Sequence, residues 1–262
     1  QTGTTAQGNA NLAGAVYRVS YQKGGQTVTQ DITSNADGSF PILREIPLGT
    51  VTVQEITAPP GYKLDSTVHT YTINGSQLVN DTYELVPDDI TEEVQRGGLT
   101  IQKKDSQTGT TPQGDASLAG ISFEIVNESQ NAVVVGGRTI QPGQVATTIT
   151  TNASGVATTG ANALPYGDYT VRESATNESM LLTAPDQTVL VEDDDIIYEF
   201  TMMDEVVRGG VLIEKRDLES GLLTPLGGAS LDGTLFEITN KSINAVYVGG
   251  ALYQPGEVCA TI

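Results

Sequence analysis

The sequence is poor in the residues from which most staples and active sites are made. It holds one cysteine, Cys259, one histidine, His69, and no tryptophan. A single thiol excludes an internal disulfide and a thiolate zinc cage. A lone histidine with no nucleophile motif around it carries no catalytic triad. Basic residues are scarce as well, since 13 Lys and Arg against 32 Asp and Glu leave a formal charge of −19. That charge repels phosphate backbones and anionic headgroups, so nucleic acid and membrane surfaces are excluded as partners. No apolar run approaches the roughly 18 residues of a bilayer span, and no membrane insertion is expected of this segment. Phosphate loops, dinucleotide fingerprints and metalloprotease motifs are missing, so no cofactor and no resident metal are implied.

What is present is repetition. Gln95-Arg96-Gly97-Gly98-Leu99-Thr100-Ile101-Gln102-Lys103-Lys104-Asp105 returns as Val207-Arg208-Gly209-Gly210-Val211-Leu212-Ile213-Glu214-Lys215-Arg216-Asp217. A second element occurs three times, as Leu12 to Val19, Leu118 to Ile125 and Leu231 to Ile238. The 262 residues thus divide into repeats at 1–96, 97–208 and 209–262. Aligned in this way, the first copy begins after its Lys-x-Asp strand should have ended and the third holds only its first half. The opening Gln1-Thr2-Gly3, with neither Met nor a signal peptide, reads as a processed or excised piece.

Within a repeat the segments are short, rich in Val, Ile, Thr and Tyr, and punctuated by turns such as Asn35-Ala36-Asp37-Gly38 and Asn152-Ala153-Ser154-Gly155. About seven short strands per repeat, with no helix-period stretch, is the pattern of an all-β chain of tandem immunoglobulin-like β-sandwich domains or a related barrel. Alternation in Val51-Thr52-Val53-Gln54-Glu55 points Glu55 the same way as Val53, inward if Val53 is core.

The Lys-Lys-Asp opening strand, the Leu118-Ala119-Gly120-Ile121-Ser122-Phe123-Glu124-Ile125 strand, the Glu55 to Leu64 stretch with Ala58-Pro59-Pro60-Gly61-Tyr62, and the Asp204-Glu205-Val206 ending together resemble the Cna protein B-type domain, also called the SpaA-like prealbumin-fold domain. The resemblance covers essentially the whole chain as parts of three tandem copies. It implies an extracellular, cell-wall-anchored or secreted surface structure of a Gram-positive adhesin or pilus, with neighbouring domains or subunits of the same fibre as partners. It also implies a self-formed amide between a Lys on the first strand and an Asn or Asp on the last, promoted by a Glu. Those roles fall on Lys103, Asp204 and Glu173 in the complete copy. In the third copy only Lys215 is present. In the first, Glu55 stands with an acceptor taken at Asp89, beside Asp88 and Glu92. Glu173-Ser174-Ala175-Thr176-Asn177 departs from the family's Ala-Pro-x-Gly-Tyr box, so the placing of Glu173 rests on the preceding Pro165-Tyr166-Gly167 turn.

Physical chemistry supports such a reaction. Burial favours the neutral forms of an amine and an acid, moving Lys down and Asp up. A second carboxyl can relay the proton, and contact between nucleophile and electrophile removes up to roughly 7 to 11 kcal/mol of barrier. It would be a single-turnover event, and no enzyme acting on an external substrate is expected. The acidic run Glu192-Asp193-Asp194-Asp195 is read as a solvated turn rather than a calcium site. Six Asn-x-Ser/Thr sequons, Asn127 and Asn240 among them, are read as chance matches. The functional expectation is a structural stalk of a surface adhesin or pilus-like fibre. The alternative is a ligand-binding adhesin module gripping a host protein or glycan through loops at one end of the sandwich.

Overall fold

The computed structural model describes residues 5–76 and 91–262, and among these every regular element is a strand. The all-β expectation therefore holds. In the first repeat β1 (Val16–Lys23), β2 (Gln26–Thr33), β3 (Gly49–Thr57) and β4 (Val68–Ile73) form one antiparallel sheet in the order β2-β1-β3-β4. Tyr17, Val19 and Tyr21 of β1 and Val51 and Val53 of β3 face its core, the period-2 alternation that the sequence displays.

The second repeat is a sandwich. Its opening strand β5 (Arg96–Asp105) is lined on one side by β10 (Val156–Thr158) and β11 (Leu164–Pro165) and on the other by the closing strand β14 (Ile197–Asp204). The facing sheet has the order β13-β12-β6-β9, from β13 (Gln187–Val191), β12 (Gly167–Ala175), β6 (Ser122–Asn127) and β9 (Val145–Thr150). A hairpin of β7 (Val133–Val135) and β8 (Arg138–Ile140) caps one end. Leu99 and Ile101 of β5 meet Phe123 and Ile125 of β6 and Val171 of β12 in a core where each is fully buried. Each such side chain stabilises the fold by roughly 1.5 to 3 kcal/mol. Ten strands are present where the sequence suggested about seven, because the short β7, β8, β10 and β11 segments add to the main strands.

The first and last strands of this repeat are neighbours and run parallel, with Ile197 opposite Gly98 and Asp204 opposite Asp105. Tension applied at the two ends of the repeat therefore shears one strand pair along its length.

The third repeat departs from expectation. It shows β15 (Glu237–Thr239), β16 (Val246–Val248), β17 (Ala251–Tyr253) and β18 (Val258–Thr261) in two hairpin-like pairs. The segment Gly210 to Asp217, expected as its opening strand, forms none, and Val211 and Leu212 are exposed. In the second repeat the matching strand is held by residues 156–204, whose counterparts do not occur in 209–262.

Candidate functional site

β5 alternates strictly: Leu99, Ile101, Lys103 and Asp105 are buried, while Gln102 and Lys104 lie on the half-exposed face. The sequence pattern that buries two hydrophobes thus carries a lysine into the core at the next inward position. β14 does the same with Met202 and Asp204, both on the face buried against the sandwich. Met202 stands opposite Lys103 in register, and the lysine side chain reaches two residues further along to Asp204.

Lys103 Nζ lies 2.8 Å from Asp204 Oδ2 and donates to Glu173 Oε2 at 2.9 Å. All three side chains are shut off from solvent. Glu173 comes from β12 on the facing sheet, opposite Phe123 and next to a bulge before Ala175. The other oxygen of Asp204, Oδ1, is pinned by the backbone N–H groups of Thr183 (3.1 Å) and Ala184 (2.8 Å) and by the Thr183 hydroxyl (3.2 Å). Oδ2 has contact with the amine and no hydrogen bond of good geometry, and Glu173 Oε1 has none either. One carboxylate oxygen is therefore polarised by three donors while the carboxyl carbon is left beside the amine. Those donors are placed where an oxygen acquiring negative charge would need them.

Burial pushes the Glu173 carboxyl up to about 7; the Lys103 hydrogen bond pulls the other way and proximity to Asp204 adds to the rise. Asp204 moves in the opposite sense from the sequence-based expectation. Burial works to raise it, but the close contacts with Lys103 and Glu173 and the Lys103 charge outweigh that, and its pKa falls below the usual carboxylate range. With Glu173 raised and Asp204 lowered, Glu173 is the carboxyl of the pair on which a proton is favoured. An acid that is half protonated near neutrality is suited to proton relay.

The first repeat has a related arrangement. Glu55 is almost fully buried on β3, as the Val53 alternation suggested, and accepts from Asp65 N–H at 2.9 Å. The bridge Tyr62–Val94 matches Met180–Val206 of the second repeat, so Glu92 occupies the position that Asp204 occupies there. Glu92 accepts from the Tyr17 hydroxyl at 3.0 Å. Burial, the main cause, and the neighbouring Glu92 raise Glu55 to about 7 against the pull of the Asp65 N–H. Asp89, and Asp88 beside it, lie outside the described residues. Lys215 is exposed on the segment that forms no strand.

Four further residues contribute that the sequence reading did not assign. Thr183 and Ala184 act through backbone N–H groups, which leave no sequence signal. Asp105 is fully buried and accepts from the backbone N–H groups of Gln107, Thr108 and Gln113, tying down the loop after β5; its recurrence in Lys-x-Asp was the available clue. Asp194, within the acidic run, accepts from Arg96 N–H at 3.0 Å and pairs with Lys63 of the first repeat at 3.0 Å.

With this geometry in place, the class is set by comparison. A family model described as the SpaA prealbumin-like fold domain matches residues 3–85 and 97–206. The chain belongs to this family. Among solved structures it is similar to the Bacillus anthracis TIE protein, with 25% identity and a TM-score of 0.52, over 76% of this chain and 32% of that one. The chain thus spans about a third of that protein's length. It is also similar to GBS52, the minor pilin of Streptococcus agalactiae (14% identity, TM-score 0.33, 79% of this chain and 88% of that one). BcpA, the major pilin subunit of Bacillus cereus, gives 15% identity and a TM-score of 0.31 over 74% and 95%. A comparison with curated proteins gives no match.

Proposed function

We propose that the chain is a load-bearing segment of an extracellular fibre or adhesin stalk on a Gram-positive surface, and that its second repeat is closed by an amide between Lys103 and Asp204, formed by the protein itself with Glu173 as proton relay. The observation that carries the reading is the buried contact of Lys103 with Asp204 and Glu173 between adjacent first and last strands. Buried ionisable groups are costly to keep apart from water, and such a trio offers little net stability as an ion pair. Conversion to a neutral amide removes two of the charges.

In the reaction Lys103 passes a proton to Asp204, leaving a neutral amine against a neutral acid. The Nζ lone pair attacks the Asp204 carboxyl carbon, and the oxygen held by Thr183 and Ala184 takes up the developing charge. Glu173 hands its proton to the departing hydroxyl and takes one from nitrogen in its place. A C–N bond forms, a C–O bond breaks, and one water leaves. No external substrate or cofactor takes part.

The mechanical consequence follows from topology. Force entering at Arg96 and leaving after Asp204 would pass through the amide, and residues 104–203 would stay folded. The closed loop also restricts the unfolded chain, by analogy with long-loop disulfides, to the extent of roughly 4 to 5 kcal/mol. Intact mass tests the reading: the crosslinked protein is lighter than its sequence by one water, and an unshifted mass overturns it.

A further inference from the structure

The junctions between repeats are built from a recurring set of contacts. A tight turn occurs at the same place in each copy, closed by Ala10 N–H to Gln7 O (2.9 Å), Ala116 N–H to Gln113 O (3.0 Å) and Ala229 N–H to Leu226 O (3.2 Å). Its second residue is Gly8, Gly114 or Gly227, each with φ near +60°. At Gly8 a Cβ would sit 2.0 Å from Tyr166 O of the following repeat, so no larger residue fits.

The first two of these turns dock on the next repeat through equivalent bonds. Gln7 Oε1 accepts from Val134 N–H at 2.9 Å, and Gln113 Oε1 accepts from Tyr247 N–H at 2.8 Å. Gly8 N–H donates to Ala132 O and Gly114 N–H to Ala245 O, both at 3.1 Å. Asn131 N–H returns a bond to Gly8 O at 3.0 Å, and Asn244 N–H to Gly114 O at 3.1 Å. Asn9 Oδ1 receives Gln130 N–H, and Asp115 Oδ1 receives Ile243 N–H, both at 2.9 Å. An arginine from each linker completes the joint: Arg96 donates to Val134 O at 3.0 Å and Arg208 to Tyr247 O at 2.7 Å.

The receiving loop is braced in the same way in both places. Asn127 Nδ2 donates to Asn131 O and Ile140 O, and Asn240 Nδ2 to Asn244 O and Tyr253 O. Both asparagines are buried, so these two sequons serve the loop's shape and are closed to a glycan in the folded protein. Receiving residues that contribute only backbone are free to vary, as Gln130 against Ile243 and Val134 against Tyr247 show.

We propose that the Gln-Gly-Asn/Asp turn and the asparagine-braced loop are the two halves of a directional docking code that fixes the angle between successive repeats, with the following repeat as partner. Domains on short linkers move relative to one another by default. Five matching bonds at each junction, each with a net contribution of about 0.5 to 1.5 kcal/mol, oppose that motion. The halves are unevenly distributed. The first repeat carries the turn, but at the loop position it has only Gly24-Gly25 between β1 and β2. The third carries the loop, but its turn has Leu226 and Gly228 where the acceptors should be. The second carries both.

Spin-label distance distributions on the full chain test this. In a Cys259→Ser background, labels at Gln26 and Thr188 span the first junction, labels at Thr188 and Ala251 span the second, and labels at Thr188 and Glu199 give a within-repeat control. Both junction distributions in the parent are expected to be as narrow as the control. Gln7→Leu should broaden only the first, and Gln113→Leu only the second. Asp115→Gly, the third repeat's residue, should broaden the second junction, while Asp115→Asn, the first repeat's residue, should leave it narrow. A control that stays narrow shows that the variant has folded. Broad junctions in the parent, or variants that leave the widths unchanged, overturn the proposal.

Discussion

Lys103 and Asp204 stand 2.8 Å apart on the first and last strands of one repeat, and neither has a solvent-exposed atom in its side chain. The parallel register offsets them by two residues, with Met202 opposite Lys103, so the contact depends on the lysine lying along its neighbour strand.

The full chain should therefore be lighter than its sequence by one water. Trypsin should fail to cut after Lys103, and digestion should release a branched peptide joining the Lys103 and Asp204 segments. An Asn acceptor would lose ammonia instead, which high-resolution mass spectrometry distinguishes. Lysine freely available for acetylation at position 103 would sink the covalent reading.

Glu173→Ala should leave the sandwich folded and abolish the mass loss, because it removes the proton relay while Lys103 and Asp204 remain. Circular dichroism checks the fold and intact mass checks the bond. Crosslinking at the parental rate would show that Glu173 has no such role.

Lys103→Ala should restore the full mass and lower the melting temperature of the second repeat by on the order of 20 °C or more. That follows from losing roughly 4 to 5 kcal/mol of loop restriction at several degrees per kcal/mol for a domain of this size. Lys104→Ala should change neither, since its side chain lies on the other face of β5, where substitutions usually stay within about 0.5 kcal/mol. Differential scanning calorimetry on both variants decides it.

In the first repeat, the Glu55 carboxyl titrates at about 7 in the folded state against an ordinary 4.5. A raised acid contributes stability that is fully present below about 4.5 and is lost as pH rises through about 7. Hydrogen exchange of β1 and β3 amides, corrected for intrinsic rates, should accelerate over that window. Glu55→Gln, which cannot ionise, should flatten the dependence, and an unchanged slope would assign it to another group.

Much of this was legible in the chain itself. The 112-residue echo of Arg-Gly-Gly and Lys-x-Asp, the turn signals and the period-2 runs set strand, turn and repeat, because these depend on local backbone preference and on which face is apolar. In the structure the same alternation puts Lys103 inward and Lys104 outward, whereas from sequence the choice of Lys103 rested on the family resemblance. What sequence could not supply was anything carried by backbone atoms or by long-range register. Two of the three donors that hold Asp204, the Thr183 and Ala184 N–H groups, are ones that every residue but proline has. Glu92 becomes the counterpart of Asp204 only through the Tyr62–Val94 bridge. The direction in which Asp204 titrates depends on donors from three separate elements. The inter-repeat joint was hidden for the same reason: Gln7, Gly8 and Asn9 look like any polar turn until the fold sets them against a loop more than a hundred residues away.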